Sequence, residues 1–170
     1  MICPRCGHNN FEGADRCANC IEPLRDRDVP QPTQGFQSLL MEEPVSAVAG
    51  HQPIVLTPET SVGEAVRLMK QRRIGCVLVV SSGKLAGIFT ERDLLLKLIG
   101  TGKGLDELYL RDYMTTGPEA VEAADSLRIA LNKMSVGGFR HIPVVAEGAV
   151  TGLVTAKDAL KYLAREALKK

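Results

Sequence analysis

The chain is short of net charge, of aromatic rings and of long apolar runs, and each shortage removes a class of function. Lysine and arginine number 21 against 20 aspartates and glutamates, a net charge of +1. Without a basic excess there is little to neutralise the phosphates of a nucleic acid. Aromatics are 4% of residues, with no tryptophan, and Phe11 is the one ring near the N-terminus on which a base could stack. No stretch approaches the roughly 20 apolar residues that span a bilayer, so no membrane role is expected. The start, Met1-Ile2-Cys3, leads into no apolar run. No signal peptide is therefore expected, and a reducing, cytoplasmic compartment is. No serine-histidine-carboxylate set or open metal site stands out, so no enzyme is expected.

What is present is a repeat. Shifting residues 45–98 by 65 positions lays them without a gap on 110–163. Pro53 then meets Pro118, Met69 meets Met134, Gly87 meets Gly152, Thr90 meets Thr155 and Asp93 meets Asp158. Two such units imply a pseudo-symmetric pair packed face to face, with 45–99 as the first repeat, 100–109 as a connector and 110–170 as the second.

Periodicity supplies the elements. Val62, Ala65, Val66 and Met69 form the apolar stripe of a helix, which Leu127, Ala130, Leu131 and Met134 repeat. Thr60 and Asp125 are expected N-caps, with a competing capping box at Ser61 and Glu64. Apolar runs at 76–80 and 85–89, and again at 141–145 and 150–154, flank glycine-containing turns and predict hairpins. Second helices are expected over 91–98 and from Ala156 onward, and short leading strands at 54–56 and 120–121. Each repeat therefore reads strand, helix, strand, strand, helix, an α+β architecture.

The closing strings GIFTERD (87–93) and GLVTAKD (152–158) resemble the CBS domain, and the tandem resembles a CBS pair, or Bateman module. The resemblance covers about residues 45–165. It implies an adenosine ligand, AMP, ADP, ATP or a relative, whose phosphate and ribose are held by Thr90 with Asp93 and by Thr155 with Asp158. It also implies that adenine lies against the leading strand, here residues 53–57 and 118–123 with Ile54, Val55 and Val121, and against the hairpin start, here residues 73–77 and 138–142. The family further implies a homodimer of pairs.

The chemistry fits that implication. A threonine at a strand-to-helix junction stands beside unpaired N–H groups that favour an anion, and an aspartate in the first turn can accept from a ribose diol. The same two residues also make a capping box, so a purely structural role is open. The two clefts differ: Arg140-His141 stands where the first repeat has Gly75-Cys76, which gives only the second repeat a pair of phosphate donors. Arg72 and Arg73 read as a helix C-terminal cap rather than cleft residues. Cys76, in an apolar run, reads as a small buried hydrophobe.

The other four cysteines form two C-x-x-C knuckles, Cys3 with Cys6 and Cys17 with Cys20, with ten residues between. Paired turns of this kind suit tetrahedral coordination by four thiolates, and residues 1–24 resemble a short zinc ribbon. Structural zinc is expected, with iron as its rival and two disulfides as the non-metal alternative. His8 reads as a surface residue. Ile21 departs from the ribbon pattern, which has glycine there.

Residues 25–44 read as a proline-containing linker with a possible short helix over 36–42. A regulatory, non-enzymatic sensor is the preferred reading, its ribbon contacting an unidentified protein partner and its output acting in trans. The alternative is a nucleic-acid-binding ribbon tuned by the pair. Arg5, Arg16, Arg25 and Arg27 against Glu12, Asp15, Glu22, Asp26 and Asp28 disfavour that alternative.

Overall fold

The computed structural model describes residues 6–10, 16–21, 43–49, 52–100 and 102–168. Cys3, Phe11 and the expected helix over 36–42 lie outside the described residues. The chain divides into two compact units, Met1–Ser38 and Leu39–Lys170.

In the larger unit the first repeat comprises β1 (Val55–Leu56), α1 (Val62–Arg72), β2 (Cys76–Ser81), β3 (Lys84–Thr90) and α2 (Glu91–Asp93), the last widening into a π-helical turn at Leu94–Leu98. A short α3 (Leu110–Tyr113) and β4 (Thr115–Thr116) follow. The second repeat comprises β5 (Val121–Glu122), α4 (Leu127–Gly137), β6 (His141–Ala146), β7 (Ala149–Thr155) and α5 (Ala156–Ala167). The 65-residue shift holds down to single residues. Cys76 pairs Thr90 as His141 pairs Thr155, and the irregularity at Val79/Val80 recurs at Val144/Val145.

Local chemistry accounts for these elements, with one revision. The N-caps of α1 and α4 are Ser61 and Ser126, not Thr60 and Asp125. Ser61 accepts from the Glu64 N–H at 3.1 Å, while Thr60 and Asp125 serve the preceding turns by accepting from the N–H groups of Thr57 and Glu122. Both hairpins turn on two left-handed residues, Ser82-Gly83 and Glu147-Gly148, a geometry that matches the natural twist of paired strands. Arg73 ends α1 in the left-handed conformation, its N–H returning to Met69 and Lys70 carbonyls. Gly138 does the same for α4.

The sheets run β1-β2-β3-β4 and β5-β6-β7. Strand β2 is buried on both faces, which explains its unbroken apolar run. Val77 and Val79 join Val62, Ala65, Met69 and Phe89 in the first core. Cys76, Leu78 and Ile88 face the other way and pack with Leu153 and Val150 of the second repeat. Proline in central strand β6 costs a bond: Leu78 donates to the Ile54 carbonyl at 2.9 Å, and its counterpart Pro143 has no N–H to donate.

The leading segments are exchanged between the repeats. Val45 and Val48 pack in the second repeat's core with Val121, Leu127 and Ile142, and Val45 N–H reaches the Asp125 carbonyl at 2.8 Å. Leu108 and Leu110 pack in the first repeat's core, where β4 pairs with β3 at Gly87 and Ile88. The motif glycines accommodate this crossing. A Cβ on Gly87 would come 2.4 Å from Met114 Sδ, and one on Gly152 would come 3.6 Å from Ala49, the residue that matches Met114 in the repeat.

Candidate functional site

Thr90 and Thr155 each end a hairpin strand and cap the helix that follows. Both form complete capping boxes with the aspartate three residues on. In the second repeat, Asp158 Oδ2 accepts from Thr155 Oγ1 at 2.7 Å and from Thr155 N–H at 3.2 Å. The capping role is therefore present in both repeats. It also fixes each carboxylate beside the first turn, where helix N–H groups point outward.

Around Asp158 the fold gathers the other second-repeat residues. His141 pairs with Thr155 across the β6–β7 ladder, and the Arg140 carbonyl accepts from Ala156 N–H at 2.9 Å, so both lie at the α5 entrance. The His141 ring reaches across to the first repeat: a Cβ on Gly75 would meet its Nε2 at 3.0 Å, with Glu91 Oε2 at 3.6 Å. Burial holds the imidazole below its ordinary 6.5, Arg140 adds to this, and Glu91 and Asp158 oppose it. Arg92 closes the same seam by donating to the Gly138 carbonyl at 3.0 Å. The arrangement offers a carboxylate for hydroxyl donors, and beside it an exposed guanidinium and an imidazole for an anion.

In the first repeat both Asp93 oxygens are engaged. Its Oδ2 accepts from Thr90 N–H at 2.9 Å and Thr90 Oγ1 at 2.6 Å. Its Oδ1 accepts from Thr115 Oγ1 at 3.0 Å and is 2.7 Å from Lys97 Nζ. Burial pushes this carboxyl up, but the bonds from Lys97, Thr90 and Thr115 hold it below the ordinary 3.8. Sequence reasoning passed over both Lys97 and Thr115. The i,i+4 spacing of Asp93 and Lys97 was a visible signal, whereas Thr115 arrives through the segment exchange and left none.

The adenine-side residues divide. Val55 is exposed on β1, Ile54 is half-buried against the first core, and Val121 is buried in the second core, so the Val121 side chain is committed to packing. Cys76 is buried and its thiol is pushed up to about 12, chiefly by burial and secondly by Glu91, in keeping with an inert core residue. An open hollow of ≈ 420 Å³ lies between α1 and α2, lined by Lys70, Arg73, Glu91 and Leu94 among others. It belongs to the first repeat's helical face and shares Glu91 with the His141 seam.

In the smaller unit, Cys6, Cys17 and Cys20 place their sulfurs within 4.8 Å of one another. Cys6 and Cys17 are 3.6 Å apart, far beyond a disulfide and close to the ~3.8 Å edge of a tetrahedron with zinc–sulfur arms of about 2.3 Å. These three thiols fit a metal of that geometry. Burial opposes ionisation of Cys17, but N–H groups of Cys20 and Asn19, the Asn10 amide and Cys6 bring it down to about 6. Cys6 is also lowered, first by the His8 backbone. Asn10, which sequence reasoning did not single out, is 8% exposed. It donates to Cys17 Sγ at 3.6 Å and to the His8 carbonyl at 3.1 Å, and accepts from Ala18 N–H at 2.9 Å. His8 is exposed. Ile21 adopts φ 60, its N–H bonding the Cys17 carbonyl at 2.9 Å, so the knuckle keeps the glycine-type turn despite a β-branched side chain.

No helix among the described residues is long and apolar enough to cross a membrane. The CBS domain family profile matches residues 45–100 and 110–165. Among curated proteins, an uncharacterized protein of Methanopyrus kandleri, MK0525, is 34% identical over 119 residues, which is 69% of this chain and 61% of that protein. CBSCBSPB3 of Arabidopsis thaliana, a CBS domain-containing protein, is 36% identical over 121 residues, 70% of this chain and 22% of that protein. The chain thus spans less than two thirds of either relative. Among solved structures, the CBS domain pair of protein MJ0100, in complex with 5-methylthioadenosine and S-adenosyl-L-methionine, is 25% identical with a TM-score of 0.64, covering 72% of this chain and 97% of that one.

Proposed function

The chain belongs to the CBS-domain family as a tandem pair, and from that membership we propose that it is a non-enzymatic sensor of an adenosine-containing ligand. The observation that carries this reading is the clustering of Thr155, Asp158, Arg140 and His141 at the entrance to α5. A ribose diol donates to the Asp158 carboxylate, and a phosphate or other anionic group lies toward His141 and the Arg140 guanidinium. Adenine stacks along the leading strand. The adenosine-type ligands of the MJ0100 pair support the same class of ligand for this chain.

The smaller unit is a zinc ribbon in which Cys3, Cys6, Cys17 and Cys20 hold the metal. The ion's part is structural: so short a segment buries too little apolar surface to fold alone, and metal binding supplies the missing free energy. A protein partner in the cytoplasm receives the signal through this unit. The pair works as a homodimer through its helical face, where Leu95, Leu96 and Ile99 are 58%, 72% and 73% exposed and Val136 and Leu160 are exposed in the second repeat.

Calorimetric titration of the zinc-loaded chain with AMP, ATP, NAD and S-adenosylmethionine tests the reading. At least one is expected to bind, and at 100 times its dissociation constant to add about 2.7 kcal/mol of stability. Failure of all four to bind or to raise the melting temperature would remove the sensor reading.

A further inference from the structure

A carboxylate of the first repeat stands at the anion side of the second repeat's cleft. Gly75 lies immediately before β2, and its lack of a side chain lets the His141 ring cross to it from the second repeat. A Cβ there would be 3.0 Å from His141 Nε2 and 3.3 Å from Cε1, an unusually tight approach, and 3.6 Å from Glu91 Oε2. The imidazole nitrogen and the carboxylate oxygen therefore lie within 6.6 Å of each other, the sum of their two distances from that point.

The backbone holds Glu91 in this place, its N–H donating to the Gly75 carbonyl at 3.0 Å. Two neighbours register its charge. Burial and then Glu91 push up the Cys76 thiol, and at His141, where burial and Arg140 lower the value, Glu91 and Asp158 oppose them. The Glu91 side chain is exposed, so its charge faces whatever enters. Lys70 and Arg73 line the same hollow as Glu91, yet no ion pair among the described residues joins either to it. The repeat does not share this charge, because the matching position is Ala156.

We propose that Glu91 sets the charge preference of the second cleft, favouring an adenosine ligand with one phosphate or none and disfavouring a triphosphate. An anionic group placed toward His141 and Arg140 meets one guanidinium and one imidazole, with the Glu91 carboxylate beside the imidazole. A single phosphate can rest on those two donors. The charged groups that act on His141 are Arg140, Glu91 and Asp158, so each further phosphate adds negative charge there with no second cation to meet it. Separations of roughly 6–7 Å fall inside the ~8 Å Debye length at physiological salt, and the repulsion survives screening. The inference rests on the nucleotide reading above and adds the ligand charge that the site selects and the residue that selects it.

The test is isothermal calorimetry with adenosine, AMP and ATP, without magnesium so that every phosphate keeps its charge, on wild type, Glu91→Gln and Glu91→Ala, each confirmed folded by circular dichroism. Wild type is expected to bind AMP more tightly than ATP. Both variants should gain affinity in step with ligand charge: least for adenosine, about 3-fold to 10-fold for AMP, as Coulomb's law gives for charges at this range in a water-like medium, and most for ATP. The gain should shrink at high salt. Tighter binding of ATP than of AMP to wild type, its outer phosphates met by Lys70 and Arg73, overturns the proposal and leaves the sensor reading intact. Changes that are absent, or equal for all three ligands, do the same and make Glu91 a structural residue of the seam. No binding of any of the three to any form overturns the sensor reading and this proposal together.

Discussion

Thr155 donates its hydroxyl to Asp158 Oδ2 at 2.7 Å while the Asp158 N–H donates back to Thr155 Oγ1 at 3.1 Å. The pair is a helix cap as it stands, and it is the center of the proposed ligand cleft. Substitution separates the roles. Asp158→Ala removes cap and carboxylate, and is expected to cost about 1 kcal/mol of stability and roughly 10-fold to 150-fold in adenine-nucleotide affinity, the worth of charge-assisted bonds at about 1.5 to 3 kcal/mol. Asp158→Asn keeps an acceptor for the Thr155 groups and should retain the melting temperature while losing affinity. Equal affinity in all three forms by calorimetry would reduce Asp158 to a cap.

His141 gives the cleft a pH dependence of predictable sign. Its folded value lies below the ordinary 6.5 because the ring is buried and Arg140 is near. Below that ordinary value the unfolded chain binds more protons, so this histidine's contribution to stability is lost as pH falls through its folded value. A bound phosphate beside the ring favours the protonated form. Affinity for AMP should therefore rise as pH falls below about 6.5, adenosine should show no such rise, and His141→Gln should remove the difference. A pH profile for AMP unchanged in His141→Gln would place the phosphate elsewhere.

The motif glycines differ in what a methyl group would meet. At Gly87 the new Cβ would stand 2.4 Å from Met114 Sδ and 3.0 Å from the Thr115 carbonyl, whereas at Gly152 the nearest atoms are at ordinary contact, 3.5 and 3.6 Å. Gly87→Ala is expected to cost on the order of 1 to 3 kcal/mol through overpacking against β4, and Gly152→Ala to be nearly neutral. Chemical denaturation of both variants checks this, and the reverse order would contradict the packing described for the exchanged segments.

Asn10 supports the thiol cluster without belonging to it, donating to Cys17 Sγ at 3.6 Å from a buried position. One zinc per chain is expected by elemental analysis, with Cys17→Ser releasing it. Asn10→Ala should keep the metal with about 10-fold to 100-fold weaker affinity, the usual effect of losing an outer hydrogen bond to a ligand. Competition with a chromophoric chelator measures the change, and an unaltered affinity in Asn10→Ala would limit that residue to the turn.

The repeat was legible in the sequence because side-chain period fixes which face of a helix or strand is buried. A gapless 65-residue shift carried that pattern, the turns and the Thr-Asp boxes from one repeat to the other, so that even the irregularity at Val79/Val80 reappears at Val144/Val145. Metal-ligand spacing was equally local, and Cys6, Cys17 and Cys20 converge as the knuckles imply. The sequence did not disclose which sheet each leading segment joins. Val45 and Leu110 occupy matching positions and are equally apolar, and a hydrophobic pattern says that they are buried without saying against which repeat. Packing decided that each crosses to the other's core. That crossing brings Thr115 to Asp93.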